Sequence, residues 1–227
     1  MALSTPPAPV LSARPTVDVV VHVGTLAPVH EPFLKRPFDI ALAAVMLVVS
    51  APVWAAIAIA IKLEDHGPVF YRQHRWGRDQ THFEVLKFRS MVVAADLRQA
   101  TEHDNRVTRV GRTLRATGLD ELPQLINILR GEMSFVGPRA LATQERDQTG
   151  VPIRYEDTPG FARRLQVRPG LTGLATVFLP KDASSRLKFR TDLLYVSRTS
   201  FWLDLRLVVL SFWISFRGKW ETRARKV

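Results

Sequence analysis

The stretch IALAAVMLVVSAPVWAAIAIAI, residues 40–61, decides the architecture of this 227-residue chain. It holds no charged side chain; Lys35 and Arg36 precede it and Lys62 closes it. About twenty consecutive apolar residues are what a helix needs to cross a bilayer. The run is apolar all round, whereas a helix on the surface of a soluble domain keeps a polar face. Pro52 sits near its middle, behind Ser50 and Ala51. A proline there removes one backbone hydrogen bond and crowds the preceding turn, so a kink or break is expected. Basic residues flank both ends, and charge asymmetry therefore does not set an orientation. Two readings stand at this point: a kinked helix that spans, or a broken helix that enters and returns to the same face.

On the N-terminal side, residues 1–33 are rich in Pro, Ala, Val and Thr. Residues 19–23 have the composition of a short strand, but the flanking prolines favour a flexible leader. There is no basic segment followed by an apolar core near the start, and no signal peptide is expected. On the C-terminal side the chain changes character. Gly67-Pro68 opens a strand over residues 69–73, Trp76-Gly77-Arg78-Asp79 reads as a turn, and residues 81–88 return as a second strand. Residues 94–102 read as a helix. So do residues 123–129, where Leu122, Leu125, Ile126 and Leu129 fall at helical spacing, Pro123 suits a first turn and Gly131 a stop. Ser134-Phe135-Val136 is a short strand ending in Gly137-Pro138-Arg139, and residues 167–173 are a turn-rich loop. Near the C-terminus, Trp202, Trp213 and Trp220 with nearby arginines suit a helix lying in a membrane interface; an ordinary core helix fits the same pattern.

The formal charge is +11 and the isoelectric point about 10.8, which favours anionic partners: nucleic acid, lipid headgroups or phosphorylated substrates. The absence of cysteine excludes disulfides and thiolate-held metals, and the six histidines lack the close spacing of a zinc site.

Acidic residues are the minority charge, so the adjacent Asp120 and Glu121, with Arg115 shortly before them, need a reason. Both fall in or just before the first turn of a helix, where the helix dipole and Arg115 favour an ionised carboxylate. An ionised aspartate can attack phosphorus, splitting one displacement into two. It can also hold Mg²⁺. Capping the helix is the plainer role for such acids. Arg139 and Arg168 lie on rigid proline-glycine loops, and Lys87 and Arg89 end the second strand; an arginine fork matches phosphate. Most of the 32 basic residues are solvated surface charges, but these stand at strand or loop ends.

These residues also resemble a known family, the bacterial sugar transferases, monotopic polyprenyl-phosphate phosphoglycosyl transferases. The resemblance rests on Lys35-Arg36-Pro37-Phe38-Asp39, the broken apolar run, Gly67-Pro68-Val69-Phe70 with Arg72-Gln73, and Lys87-Phe88-Arg89-Ser90-Met91. It continues through residues 115–125, Gly131 to Arg139, residues 168–173, Asp192, Tyr195 and Asp204, covering roughly residues 34–217. Several spaced motifs in order are far more specific than a lone match.

The resemblance implies transfer of a sugar-1-phosphate from a UDP-sugar to polyprenyl (undecaprenyl) phosphate with release of UMP. This step starts exopolysaccharide, O-antigen and other glycan assembly at the cytoplasmic face of the bacterial inner membrane. It implies Asp120 as nucleophile and Mg²⁺ ligand, with Glu121 as its partner, positioning groups or helping to deprotonate the acceptor. It implies Arg115 and Arg139 as phosphate or nucleotide contacts; Lys87, Arg89 and Arg168 join them as candidate binding residues. Its re-entrant helix breaks at a Ser-Pro pair; here Ser50 and Pro52 flank Ala51. Residues 174–180 replace the Gln-Val-Asn-Gly-Arg stretch of many members, so donor choice is not carried over to the 174–186 loop.

The expected organisation is a flexible leader (1–33), a re-entrant membrane helix (34–64), a cytoplasmic catalytic domain with an interfacial C-terminal helix (65–217) and a basic tail (218–227), a minimal catalytic form. The fold class expected is α/β, mostly α with a small antiparallel hairpin. Expected partners are the UDP-sugar, the polyprenyl phosphate and membrane lipids, with no nucleic acid; a homodimer is compatible with this. A membrane-anchored nucleic-acid binder and an inactive scaffold for polysaccharide assembly are the competing readings, the first without any zinc-finger, basic-zipper or RNA-binding signature.

Overall fold

A computed structural model describes residues 27–93, 104–147, 149–180 and 182–217. The expected strand at 19–23, the helix at 94–102, the basic tail 218–227 and most of the leader lie outside the described residues.

The apolar run forms α1 (Lys35–Asp65), and Pro52 sits inside it with helix on both sides. The break expected there is confined to the one hydrogen bond a proline cannot make to the carbonyl of Val48. Ser50 Oγ, one turn before Trp54, accepts a hydrogen bond from the indole Nε1 (3.0 Å). Around the proline the helix faces outward: Val48 and Val49 are 75% and 73% exposed. Such a patch is too apolar to be left to water.

Both ends of α1 are fastened to the same body. At its start, Arg36 donates to the carbonyls of Ile128 (2.6 Å) and Leu129 (3.0 Å), and Ala43 is buried in the main core. At its end, Ile57 and Ile61 pack with Phe88 and Leu114, Asp65 pairs with Arg89, and Glu64 accepts from the backbone N–H of Arg109 (2.7 Å).

The body is mostly helical. Strands β1 (Phe70–Trp76) and β2 (His82–Phe88) form an antiparallel hairpin with Phe70 opposite Phe88 and Trp76 opposite His82. Residues 78–80 form a 3₁₀ turn in the connection. Helices α2 (Arg109–Thr117) and α3 (Gln124–Arg130) follow. Asn127 on α3 is fully buried and staples that helix to β2, accepting from Leu86 N–H (3.1 Å) and donating to the Glu84 carbonyl (2.8 Å).

Strand β3 (Ser134–Val136) falls where expected. The loop expected at 167–173 contains a strand as well: β4 (Gly170–Thr172) pairs parallel with β3. Glycines make this approach feasible: a Cβ on Gly170 would lie 2.1 Å from the Gly137 nitrogen. Helices α4 (Phe161–Arg164), α5 (Leu174–Phe178), α6 (Ser185–Ser197) and α7 (Phe201–Phe216) complete the fold, so the segment expected as a 174–186 loop begins as a helix.

Helix α7 has a core face, as one of the two readings expected, and an exposed apolar face opposite it. Leu207, Val208 and Ile214 are buried in the core, while Trp202, Val209 and Trp213 are exposed. Residues 27–33, counted with the leader, are docked: Glu31 pairs with Arg168 and Arg78, and Arg163 donates to the Ala27 carbonyl.

Candidate active site

Asp120 and Glu121 lie just before α3, in a 3₁₀ turn over Leu119–Glu121. Helix α2 is capped by Thr108, whose Oγ1 accepts from Gly111 N–H (2.9 Å), and ends at Gly118 with φ +74°. Glycine takes this left-handed conformation without steric penalty, which lets the chain reverse at once into the acidic turn. Glu121 N–H closes the turn on the Gly118 carbonyl (3.2 Å).

The stapling of α3 to β2 brings Glu121 against Lys87, with Nζ 2.5 Å from Oε1 and both side chains largely buried. The other cations come from β1 and from the exit of β3. Arg75, Lys87, Glu121, Gln124 and Arg139 line one polar pocket of about 20 Å³. Burial alone would raise the Glu121 carboxyl, but Lys87, Arg139 and Arg75 outweigh it and hold the group down at about 2. Glu121 is therefore a fixed anion and a poor proton acceptor at neutral pH.

Glu121 also lines a second cavity of about 110 Å³, almost wholly apolar, with Met46 of α1, Leu122, Leu125, Phe135, and Val208 and Phe212 of α7. Gly118 and Leu122, on either side of Asp120, line this cavity too. The acidic turn thus separates a basic pocket from a greasy one.

Two buried charge networks fix the segment from the end of β3 to Arg139. Lys35 Nζ bonds Asp204 Oδ2 (2.6 Å) and the Val136 carbonyl (2.8 Å), and Tyr195 OH donates to Asp204 Oδ1 (2.7 Å). Arg164 pairs with Asp192 (2.8 Å) and donates to the Arg139 carbonyl. Lys35, Asp192, Tyr195 and Asp204, carried into the family resemblance by sequence, are thereby given a framework role.

Of the expected site residues, Lys87, Glu121 and Arg139 come together, with Asp120 in the same turn. Arg115 is half-buried in the last turn of α2. Arg89 and Arg168 are held elsewhere: Arg89 is buried against Asp65, and Arg168 binds Glu31 and the Gly131 carbonyl (2.9 Å). A strand or loop end does not tell where a long side chain points, and both arginines turned to carboxylates from α1 and the segment before it. Ser50 and Pro52 lie on α1, away from the pocket lining.

Arg75 and Gln124 were not anticipated. Pairing gives the signal for Arg75: it stands opposite Phe83, and Tyr71 opposite Lys87, so Arg75 and Lys87 share the buried face of the hairpin. Gln124 is four residues before the buried Ile128, on the core face of α3. Among the described residues no group of three or more His, Asp or Glu side chains is placed to hold a metal ion.

The chain is 42% identical over 194 residues to a UDP-glucose:undecaprenyl-phosphate glucose-1-phosphate transferase of Caulobacter vibrioides, covering 82% of this chain and 71% of that protein. It is 41% identical to the Escherichia coli protein of the same name, covering 82% of this chain but 41% of the relative, so it spans less than half of that protein's length. A UDP-N-acetylgalactosamine-undecaprenyl-phosphate N-acetylgalactosaminephosphotransferase of Aeromonas hydrophila is 37% identical, over 78% of this chain and 42% of the relative. Residues 30–218 match the bacterial sugar transferase family, and the chain belongs to it.

Proposed function

We propose that this chain transfers a sugar-1-phosphate from a UDP-sugar to a polyprenyl phosphate, undecaprenyl phosphate being the acceptor in its relatives' names, and releases UMP. The observation that carries the reading is that Glu121 lines both cavities. A basic pocket suits the diphosphate of a nucleotide sugar, an apolar cavity suits a lipid chain, and the acidic turn lies where the two meet.

In this reading an Asp120 carboxylate oxygen attacks the sugar-bearing phosphorus, and the bond from that phosphorus to the UMP oxygen breaks. A phosphate oxygen of the dianionic acceptor then attacks the same phosphorus and frees the carboxylate, with no proton to remove. Glu121 stays ionised and holds Lys87, Arg75 and Arg139 in place, so that cations face the charge on the transferred group. Positioning, rather than deprotonation of the acceptor, is its part. Mg²⁺ is commonly held by one or two carboxylates together with substrate phosphates, and Asp120 fits that mode; among the described residues no group of His, Asp and Glu side chains forms a protein cage. When bound, the ion supplies charge neutralisation at the phosphoryl oxygens.

We place the enzyme at the cytoplasmic face of the bacterial inner membrane, at the first step of exopolysaccharide, O-antigen or related glycan assembly. The support is α1, long and apolar enough to enter a bilayer, with both ends docked on one basic body. A compact domain cannot sit on both sides of a membrane.

The test is UMP release from a panel of UDP-sugars, with detergent-solubilised protein, undecaprenyl phosphate and Mg²⁺. Release that requires the acceptor and disappears in Asp120→Asn is expected. Undiminished turnover by Asp120→Asn removes the nucleophile assignment, and no release from any donor removes the reaction.

A further inference from the structure

Few buried side-chain nitrogens in the described residues lack a hydrogen-bond partner, and two of them, Gln124 Nε2 and Arg75 Nε, belong to side chains that line the same small pocket. Gln124 is only 3% exposed. A buried amide donor without a partner costs stability, and leucine or methionine at that place would avoid the cost. The geometry of Arg75 is equally specific. Its Nη1 donates to the Ala140 carbonyl (2.7 Å) and its Nη2 to Gln73 Oε1 (2.6 Å), which locks the guanidinium and leaves Nε over. Both of those acceptors are neutral, and among the described residues Arg75 makes no ion pair.

The pocket wall carries three cations, Arg75, Lys87 and Arg139, against one carboxylate, Glu121. Lys87 is matched to Glu121; the charge of Arg75 is not matched by any carboxylate in contact with it. Burial, with Arg139 next, pushes the Arg75 guanidinium below its usual value, the mark of a cation placed without sufficient counter-charge. Two buried donors without a partner and excess positive charge around about 20 Å³ define a site for one small anionic group.

We infer that Gln124 and Arg75 donate hydrogen bonds to a phosphoryl oxygen of the substrate, forming an anion-binding pair beside Glu121. This rests on the phosphoryl-transfer reading above. That oxygen belongs either to the nucleotide diphosphate or to the lipid phosphate, and the two sources are separable by experiment. On this account Gln124 is maintained in the core at a cost to the empty protein, because its partner arrives with the substrate.

The test compares wild type, Gln124→Met and Arg75→Lys in detergent, following the thermal midpoint without ligand and binding of UDP, inorganic pyrophosphate and undecaprenyl phosphate in separate titrations. Methionine has nearly the volume of glutamine and no donor to leave unpaired. Gln124→Met is therefore expected to melt at or above wild type when empty. Its affinity for the probe that occupies the site is expected to fall about tenfold or more, as for loss of a hydrogen bond to a charged group. Sensitivity to UDP and pyrophosphate assigns the site to the donor; sensitivity to undecaprenyl phosphate alone assigns it to the acceptor.

A Gln124→Met protein that melts well below wild type yet binds every probe unchanged overturns the inference, since the amide then serves the fold. Arg75→Lys binding every probe as wild type does overturns the part assigned to Arg75. Wild type that binds none of the three probes overturns the anion site altogether. Wild type that binds in a Gln124-dependent way but releases no UMP from any UDP-sugar supports the site and removes the proposed reaction instead.

Discussion

Lys87 Nζ lies 2.5 Å from Glu121 Oε1, joining the second strand of the hairpin to the acidic turn between α2 and α3. The pair ties the basic pocket to the carboxylate that organises it. Lys87→Met leaves Glu121 with only Arg139 and Arg75 for company and, in the proposed reaction, takes one cation from the transferred group. A fall of roughly 10²-fold in kcat/KM is expected, the usual scale for one lost electrostatic contact to a transition state. Steady-state UMP release measures it, and a change under threefold would show that the pair is merely structural.

The same pair sets an acid limit. The Glu121 carboxyl is depressed from 4.5 to about 2, because Lys87, Arg139 and Arg75 outweigh a burial that would raise it. A group depressed by folding contributes stability that is complete above its unfolded value and is lost as pH falls through its folded value. For Glu121 that window runs from 4.5 down to about 2. The thermal midpoints of wild type and Glu121→Gln should therefore converge as pH falls below 4.5 and differ by a constant amount above it. Convergence already near neutral pH would contradict the depressed value.

Asp192 and Arg164 form a buried pair, 4% and 2% exposed, and Arg164 also holds the Arg139 carbonyl. Asp192→Asn leaves a buried guanidinium without its counter-charge, which costs about 3–5 kcal/mol. Denaturant titration in detergent should register this loss. A cost below about 1 kcal/mol would place the pair with exposed ion pairs in energetic terms.

The docking of both ends of α1 predicts a labelling pattern. The chain has no cysteine, so Phe33→Cys and Lys62→Cys each introduce a unique thiol at an exposed position. A membrane-impermeant maleimide should reach both from the same side of inverted inner-membrane vesicles. Labelling from opposite sides would make α1 a spanning helix.

Periodicity made much of this fold readable. The hairpin is marked by Gly67-Pro68 before its first strand and the turn at Trp76-Gly77-Arg78-Asp79, α3 repeats at helical spacing, and β3 is a short β-branched and aromatic run before a glycine. Strand β4 was hidden because Gly170-Leu171-Thr172-Gly173 has the composition of a turn; what makes it a strand is the glycine-lined approach to β3, a tertiary fact. The acidic turn was legible because two carboxylates stand out in a basic chain. Its cations were legible only in part. Lys87 and Arg139 lie beside Glu121, whereas Arg89 and Arg168 pair with Asp65 and Glu31, partners far away in sequence. Arg75 is one arginine among many until pairing with β2 places it on the inner face, and Gln124 reads as an unremarkable helix residue until its amide is seen to lack a partner.

A helix pinned at its first and last turns cannot slide, roll or change its tilt without carrying the rest of the molecule along. In α1 the pins are Arg36 at one end and Glu64 and Asp65 at the other, on the body that bears Glu121. The position of the acidic turn relative to that helix is therefore set by the fold. If α1 enters a bilayer as proposed, membrane thickness and lipid-tail length act on how the bilayer deforms around the body, leaving the alignment of the acidic turn with α1 unchanged.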